Sequence, residues 1–337
     1  MMRKALTAGL LMVWASWSTG TAMAQPALRD VTFGTNWLAQ AEHGGYYQAL
    51  ADGTYEKYGL KVTIVPGGPR ADNRMLMSVG KLDFYMGGSL IQAFSAVEKN
   101  IPTIVVAAHF QKEPQALMSH PGQGFDTFAD LKKSNDILLS KSGAATFFQW
   151  MKAEFGFKDE QVKPYGFNPA PFIANKQSVQ QGYVTSDPLV IEKAAGFKPN
   201  VFLLADQGFS TYSTTIETRR EMVEKDADLV QRFVDASTIG WYNYLYGDNR
   251  SANALIKREN PEMTDELLAY AVAKMKEYGI VDSGDAQKHG IGAMSDARMK
   301  DFFDKMVKAG LFKPDLDYRK AYTLQFVNKG VGLDLKK

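Results

Sequence analysis

The sequence predicts an α/β protein folded as two lobes, with the chain crossing between them twice. Three observations carry that reading. Strand-like and helix-like segments alternate with short turns from Val31 to about Ala205. The 337 residues are enough for about two domains at roughly 100–200 residues each. Beyond Thr214 the chain reads as mostly helix, too poor in strands for a third sheet. A 45% hydrophobic and 23% charged composition excludes the disordered and fibrous classes.

The first 24 residues differ from the rest. Arg3 and Lys4 precede an apolar run over 5–17, and Ala22-Met23-Ala24 places small residues where a signal peptidase cuts. A cleavable signal peptide over 1–24 is therefore expected, with the mature chain starting at Gln25. Lipid attachment would need a cysteine after the cleavage site, and the sequence contains none. The most apolar later stretch, 101–110, is half the roughly 20 residues that a spanning helix needs, and it contains Pro102 and His109. The expected location is the periplasm, free of stable membrane insertion.

The first lobe is expected over 25–110. Its strands fall at 31–35, 61–65, 83–86 and 103–108, with helices at 46–57, 71–79 and 90–99, and Gly59 as a helix stop. Repeated βα units of this kind argue for a parallel sheet covered on both faces. The second lobe is expected over 111–210, with strands at 116–119, 137–140, 162–165, 181–184 and 201–205. Helices fit 127–133, 146–155, 172–177 and 188–195. Residues 211–337 supply a strand at 215–217 and helices at 227–246, 265–278 and 296–309, with Thr264 and Ser295 as N-caps. That region is expected to pack on the first lobe, so the crossings fall near 108–114 and 206–214.

Catalytic signals are thin. His43, His109, His120 and His289 show no metal-ligand spacing, and no nucleophile elbow, Walker loop or dinucleotide-binding glycine motif follows a strand. Without cysteine there is no disulfide, thiolate zinc site or iron–sulfur cluster. Neither catalytic residues nor a metal or cofactor are expected. Thirty-nine Lys and Arg balance 37 Asp and Glu, so a net +2 offers no field for nucleic acid.

Ligands of open α/β sheets bind beyond the carboxyl ends of strands, where helix N-termini present free N–H groups. The turn after the first strand carries Trp37, His43, two glycines, Tyr46 and Tyr47: a flat apolar face beside polar donors. The alternatives are Trp37 as core and His43 as a surface cap. The next turn holds Arg70 and Arg74, either free to meet an acidic group or simply solvated. Gly87, Gly88 and Ser89 follow the third strand and offer backbone N–H groups and a hydroxyl. In the second lobe, Ser142 opens a helix in the same manner, Phe172 and Tyr183 lie near turns, and Asp187 is an N-cap or a ligand acceptor.

The run 36–47, then Gly53-Thr54-Tyr55-Glu56-Lys57-Tyr58-Gly59-Leu60-Lys61-Val62 and Gly80-Lys81-Leu82-Asp83-Phe84, resembles the substrate-binding proteins of ABC importers. The class is the one containing thiamine-pyrimidine-precursor binders and nitrate, sulfonate and taurine binders. The resemblance covers the mature chain and implies a type II-like periplasmic-binding-protein fold. It also implies a monomer that closes on one small molecule and delivers it to a permease and its ATPase. In the pyrimidine-precursor branch the tryptophan and histidine of the first turn lie at the ligand, which carries over to Trp37 and His43. This sequence has Leu38-Ala39-Gln40 where that branch usually has Pro and Asn after the tryptophan. Its stacking faces favour a planar heteroaromatic such as a pyrimidine or flavin. The alternatives are a small anion or an aromatic carboxylate, and, further off, an enzyme like the yeast pyrimidine synthases.

Overall fold

The computed structural model describes residues 27–68 and 70–336. The expected signal peptide lies outside the described residues. Two five-stranded sheets form the scaffold. The first has the order β2-β1-β3-β10-β4, from β1 (Arg29–Gly34), β2 (Leu60–Val65), β3 (Phe84–Gly87), β4 (Thr103–Phe110) and β10 (Ser213–Arg219). The second has the order β7-β6-β8-β5-β9, from β5 (Gln115–Ser119), β6 (Asp136–Leu139), β7 (Val162–Pro164), β8 (Ser178–Tyr183) and β9 (Asn200–Leu203). The chain leaves the first sheet after Phe110 and returns to it at Ser213.

Each sheet is mixed, where a parallel sheet was expected in the first lobe. β1 runs parallel to β2 and β3, but β10 is antiparallel to both β3 and β4. The crossings dictate this. β4 climbs to the first crossing, and β10 starts at the second, so it descends beside β4. β5 likewise leaves the crossing and runs antiparallel to β8 and β9, whereas β6 is parallel to β7 and β8. The carboxyl ends of β1–β4 consequently face the second unit, and those of β6–β9 face the first.

The helix anticipated over 46–57 is two helices, Gly44–Ala51 and Thr54–Lys57. Gly53 breaks it at φ 72°, and the Asp52 carboxylate accepts the Thr54 N–H at 2.9 Å. The 127–133 segment is a 3₁₀ turn held by a Thr127–Asp130 capping box. β8 begins three residues before the expected strand and places Gln180 and Gln181 inside the sheet. Aromatic rings fill the first core: Phe233 stacks on Phe84 with centroids 4.1 Å apart and on Tyr55 at 5.6 Å. The Ala227–Tyr246 helix packs closely on the Gly44–Ala51 helix because glycines face it. A Cβ on Gly45 would lie 2.3 Å from the Trp241 ring, and one on Gly240 only 2.2 Å from the Gly45 carbonyl.

Candidate functional site

The site is assembled from turns at the facing strand ends. After β1, the Thr35 hydroxyl donates to the Trp37 carbonyl at 2.8 Å, and the Gly67 N–H donates to the same carbonyl at 3.0 Å. The Asn73 amide donates to the carbonyls of Thr35 and Val65 at 2.9 and 3.0 Å. A Cβ on Gly67 would sit 2.4 Å from the Thr35 carbonyl oxygen, so the turns after β1 and β2 close only with glycine there. This lock holds Trp37 half-buried at the edge of the first unit.

Phe167 of the second unit meets it, with ring centroids 5.6 Å apart. Phe167 is 62% exposed and sits at φ 61°, a left-handed conformation that costs a bulky residue energy. Sequence reasoning missed it. The available signal was a lone aromatic in the Gly166-Phe167-Asn168 turn after β7.

The Gly87-Gly88-Ser89 turn approaches Asn36, the residue before Trp37: a Cβ on Gly88 would lie 3.3 Å from its side-chain amide nitrogen. A Cβ on Gly87 would fall 2.4 Å from both the Glu217 carboxylate and the Thr215 hydroxyl. Ser213 donates to the Gly88 carbonyl at 2.6 Å, and Ser89 heads the Leu90–Glu98 helix without spending its hydroxyl on a cap. Arg74 donates to Glu217 at 2.8 and 3.1 Å and to the Gln92 carbonyl at 2.9 Å, so its guanidinium is committed to the scaffold. Arg70 is exposed.

Three of the anticipated residues sit in the core. His43 has no exposed surface and neither ring nitrogen has a partner; burial pushes its pKa down to about 3. The surface-cap reading of His43 is thereby corrected. Tyr46 bonds the His109 Nδ1 at 2.9 Å between Phe33 and Trp241. Phe172 is wholly buried against the His120 ring, at 4.5 Å between centroids. Ser142 is exposed on the Lys141–Ala145 helix, whose cap is Ser140. Asp187 is not the N-cap, which is Ser186. Its carboxylate accepts the Tyr183 N–H at 2.7 Å and so closes the turn after β8.

Acidic groups gather around Tyr183. Burial raises the Tyr183 pKa, and Glu113, Glu42 and Asp187 add to it in that order. Glu42, 5% exposed, accepts a bond from Thr185 across the two units. Burial raises its pKa and that bond opposes the rise. Burial likewise raises Asp187, with the Tyr183 N–H and the Ser186 hydroxyl opposing. Glu113, in the first crossing, is pushed up to about 8 by burial, with no donor or cation working against it. Sequence reasoning passed over Glu42 and Glu113. A cavity of about 290 Å³ lies to the side, between Pro188 and Glu192 of the Asp187–Ala195 helix and Tyr270 and Lys274 of the Asp265–Glu277 helix. Among the described residues no group of three or more His, Asp or Glu is placed to hold a metal, and no helix is long and apolar enough to cross a membrane.

The chain is 21% identical over 316 residues to a riboflavin-binding protein, RibY, of Chloroflexus aurantiacus, covering 91% of this chain and 88% of that one. A 4-amino-5-hydroxymethyl-2-methylpyrimidine phosphate synthase of Schizosaccharomyces pombe is 26% identical over 147 residues, 43% of this chain and 42% of its own length. Among solved structures, the periplasmic aliphatic sulphonate binding protein SsuA of Escherichia coli superposes with a TM-score of 0.64 at 14% identity. That match covers 88% of this chain and 92% of SsuA, and the two-sheet fold is that of the periplasmic binding proteins. Residues 40–249 match the family model described as NMT1/THI5 like, well over half of the chain, and the chain therefore belongs to the NMT1/THI5-like family.

Proposed function

We propose that this protein is the periplasmic solute-binding component of an ABC importer, and that its solute is a planar heteroaromatic carrying hydrogen-bond donors. The observation that carries the reading is the pairing of Trp37 and Phe167 across the two units, together with the acidic groups Glu113, Glu42 and Asp187 gathered around Tyr183. A flat ring that displaces this contact and stacks on Trp37 gains about 0.5–1.5 kcal/mol beyond its buried area. Glu42, Asp187, Tyr183 and the free Ser89 hydroxyl then read the ring's edge. Gly88 lets the backbone approach it.

A sulfonate or nitrate would need a free cation; Arg74 is already paired with Glu217, which leaves only the exposed Arg70 of that turn to meet it. An aromatic carboxylate would depend on the exposed Arg70. The likeness to a pyrimidine synthase does not favour catalysis, since His43 and His109 are buried in the core. The C. aurantiacus relative, by name a riboflavin binder, supports a heteroaromatic solute.

The test is a fluorescence titration of the purified chain with riboflavin, with 4-amino-5-hydroxymethyl-2-methylpyrimidine, with taurine and with nitrate. One of the heterocycles should bind and quench tryptophan emission. W37A should weaken that binding tenfold or more, about 1.4 kcal/mol. Tight taurine or nitrate binding with neither heterocycle bound would overturn the ligand assignment.

A further inference from the structure

We propose that Arg298 is the fulcrum on which the two units rotate, tying both chain crossings to the Asp296–Lys308 helix. The inference rests on the two-lobed binding reading given above. The Arg298 Nε donates to the Ser210 carbonyl at 3.1 Å, and Nη2 donates to the carbonyls of Gln111 and, at 3.4 Å, Thr211. Nη1 donates to the Gln111 side chain at 3.4 Å, and the guanidinium carbon lies 4.2 Å from the centroid of the Tyr212 ring. Gln111 belongs to the first crossing, and 210–212 to the second. One side chain thus holds both connections, almost wholly through backbone carbonyls.

The surroundings fix the post itself. Tyr212 donates to Asp285, and its hydroxyl accepts the Ser295 N–H at 3.0 Å, one turn from Arg298. The Gln111 amide donates to the Ala293 carbonyl at 2.9 Å, and the Gln111 backbone N–H to Ile280 at 2.7 Å. Residues 111 and 210–212 therefore move with the first unit. The residues left to turn are Glu113 and Pro114 in the first crossing and the stretch around Gly208, at φ 104°, in the second. Lys112 and Asp206, paired at 2.6 Å, link the two crossings at the start of the pivot. Lysine cannot replace this arginine, because a single ammonium lacks the planar fork that reaches several carbonyls at once. With the fork in place, rotation is confined to one short axis and the free protein keeps a narrow range of lobe angles.

The chain has no cysteine, so K99C/K176C supplies one specific pair of spin-label sites, at an exposed position in each unit. Pulsed dipolar spectroscopy on the unliganded protein should give a narrow distance distribution in the parent. R298M should at least double its width, with R298K between the two. A merely structural arginine would lower the thermal midpoint and leave the distribution as it was. A folded R298M with the parent's width overturns the proposal. If R298M does not fold, R298K decides, and the parent's width there overturns it equally. Adding riboflavin or the pyrimidine, whichever binds, to the labelled parent tests closure separately. An unshifted distance counts against closure, whereas the widths, measured without ligand, judge Arg298.

Discussion

Glu113 shows how one side chain can couple the site to pH. Its carboxyl titrates at about 8 in the folded chain, against an ordinary value of 4.5, because burial disfavours the charged form. Between those values the folded chain holds a proton that the unfolded chain releases. Glu113 therefore does no harm to stability below pH 4.5, costs progressively more as pH rises, and stops adding to the loss above about 8. Glu42, Asp187 and Glu217 are raised by burial too and act in the same direction. The thermal midpoint should fall steadily between pH 5 and 8.5, and E113Q should flatten part of that slope. Equal slopes in parent and variant would show that Glu113 ionises freely in the fold.

Between elements, the tightest fit is where the Gly44–Ala51 helix meets the Ala227–Tyr246 helix. A methyl group at Gly240 would press on the Gly45 carbonyl and, at 2.7 Å, on the Ala49 Cβ, neither of which can swing away. Overpacking costs about 1–3 kcal/mol and more where backbone is struck. G240A should lower the thermal midpoint by several degrees, and an unchanged midpoint would mean that the helices separate easily. This contact also shows what the sequence could reveal. The 227–246 helix is legible from its apolar period, and its observed bounds coincide with those expected. Invisible is the reason Gly44 and Gly45 precede Tyr46: they are a helix–helix seam, and not the approachable ligand backbone they resemble. The Trp37 turn is legible because a tryptophan just past a strand needs a purpose. Phe167 and Glu113 are not, since their neighbours, Trp37 and Tyr183, come from segments far away in sequence or on the far side of a sheet register. The antiparallel β10 escaped as well, because strand direction depends on where a crossing starts and not on residue type.

At the scale of the whole molecule, the contacts that join the units away from the crossings include Trp37–Phe167, Glu42–Thr185, Lys193–Glu266 and Lys308–Glu154. Lys193 and Glu266 are 53% and 60% exposed, and such a pair contributes about 0.2–1 kcal/mol. Lys308–Glu154 is mostly exposed on the lysine side and belongs to the same weak class. Turning a population from 1:99 to 99:1 takes about 5.5 kcal/mol, so these ion pairs alone do not set the closed state. A micromolar ligand brings about 8 kcal/mol, enough to do so if most of it is realised only when both units touch the ring. Small-angle scattering should therefore give a smaller radius of gyration with the binding heterocycle at saturation than without it. K193A should weaken binding by less than about fivefold, as the loss of one surface ion pair requires. W37A, which removes a contact to the ring itself, should instead leave the radius near its unliganded value at the same ligand concentration. A radius unmoved by saturating ligand in the parent would mean that the units form one rigid body and that the solute enters a site already shaped.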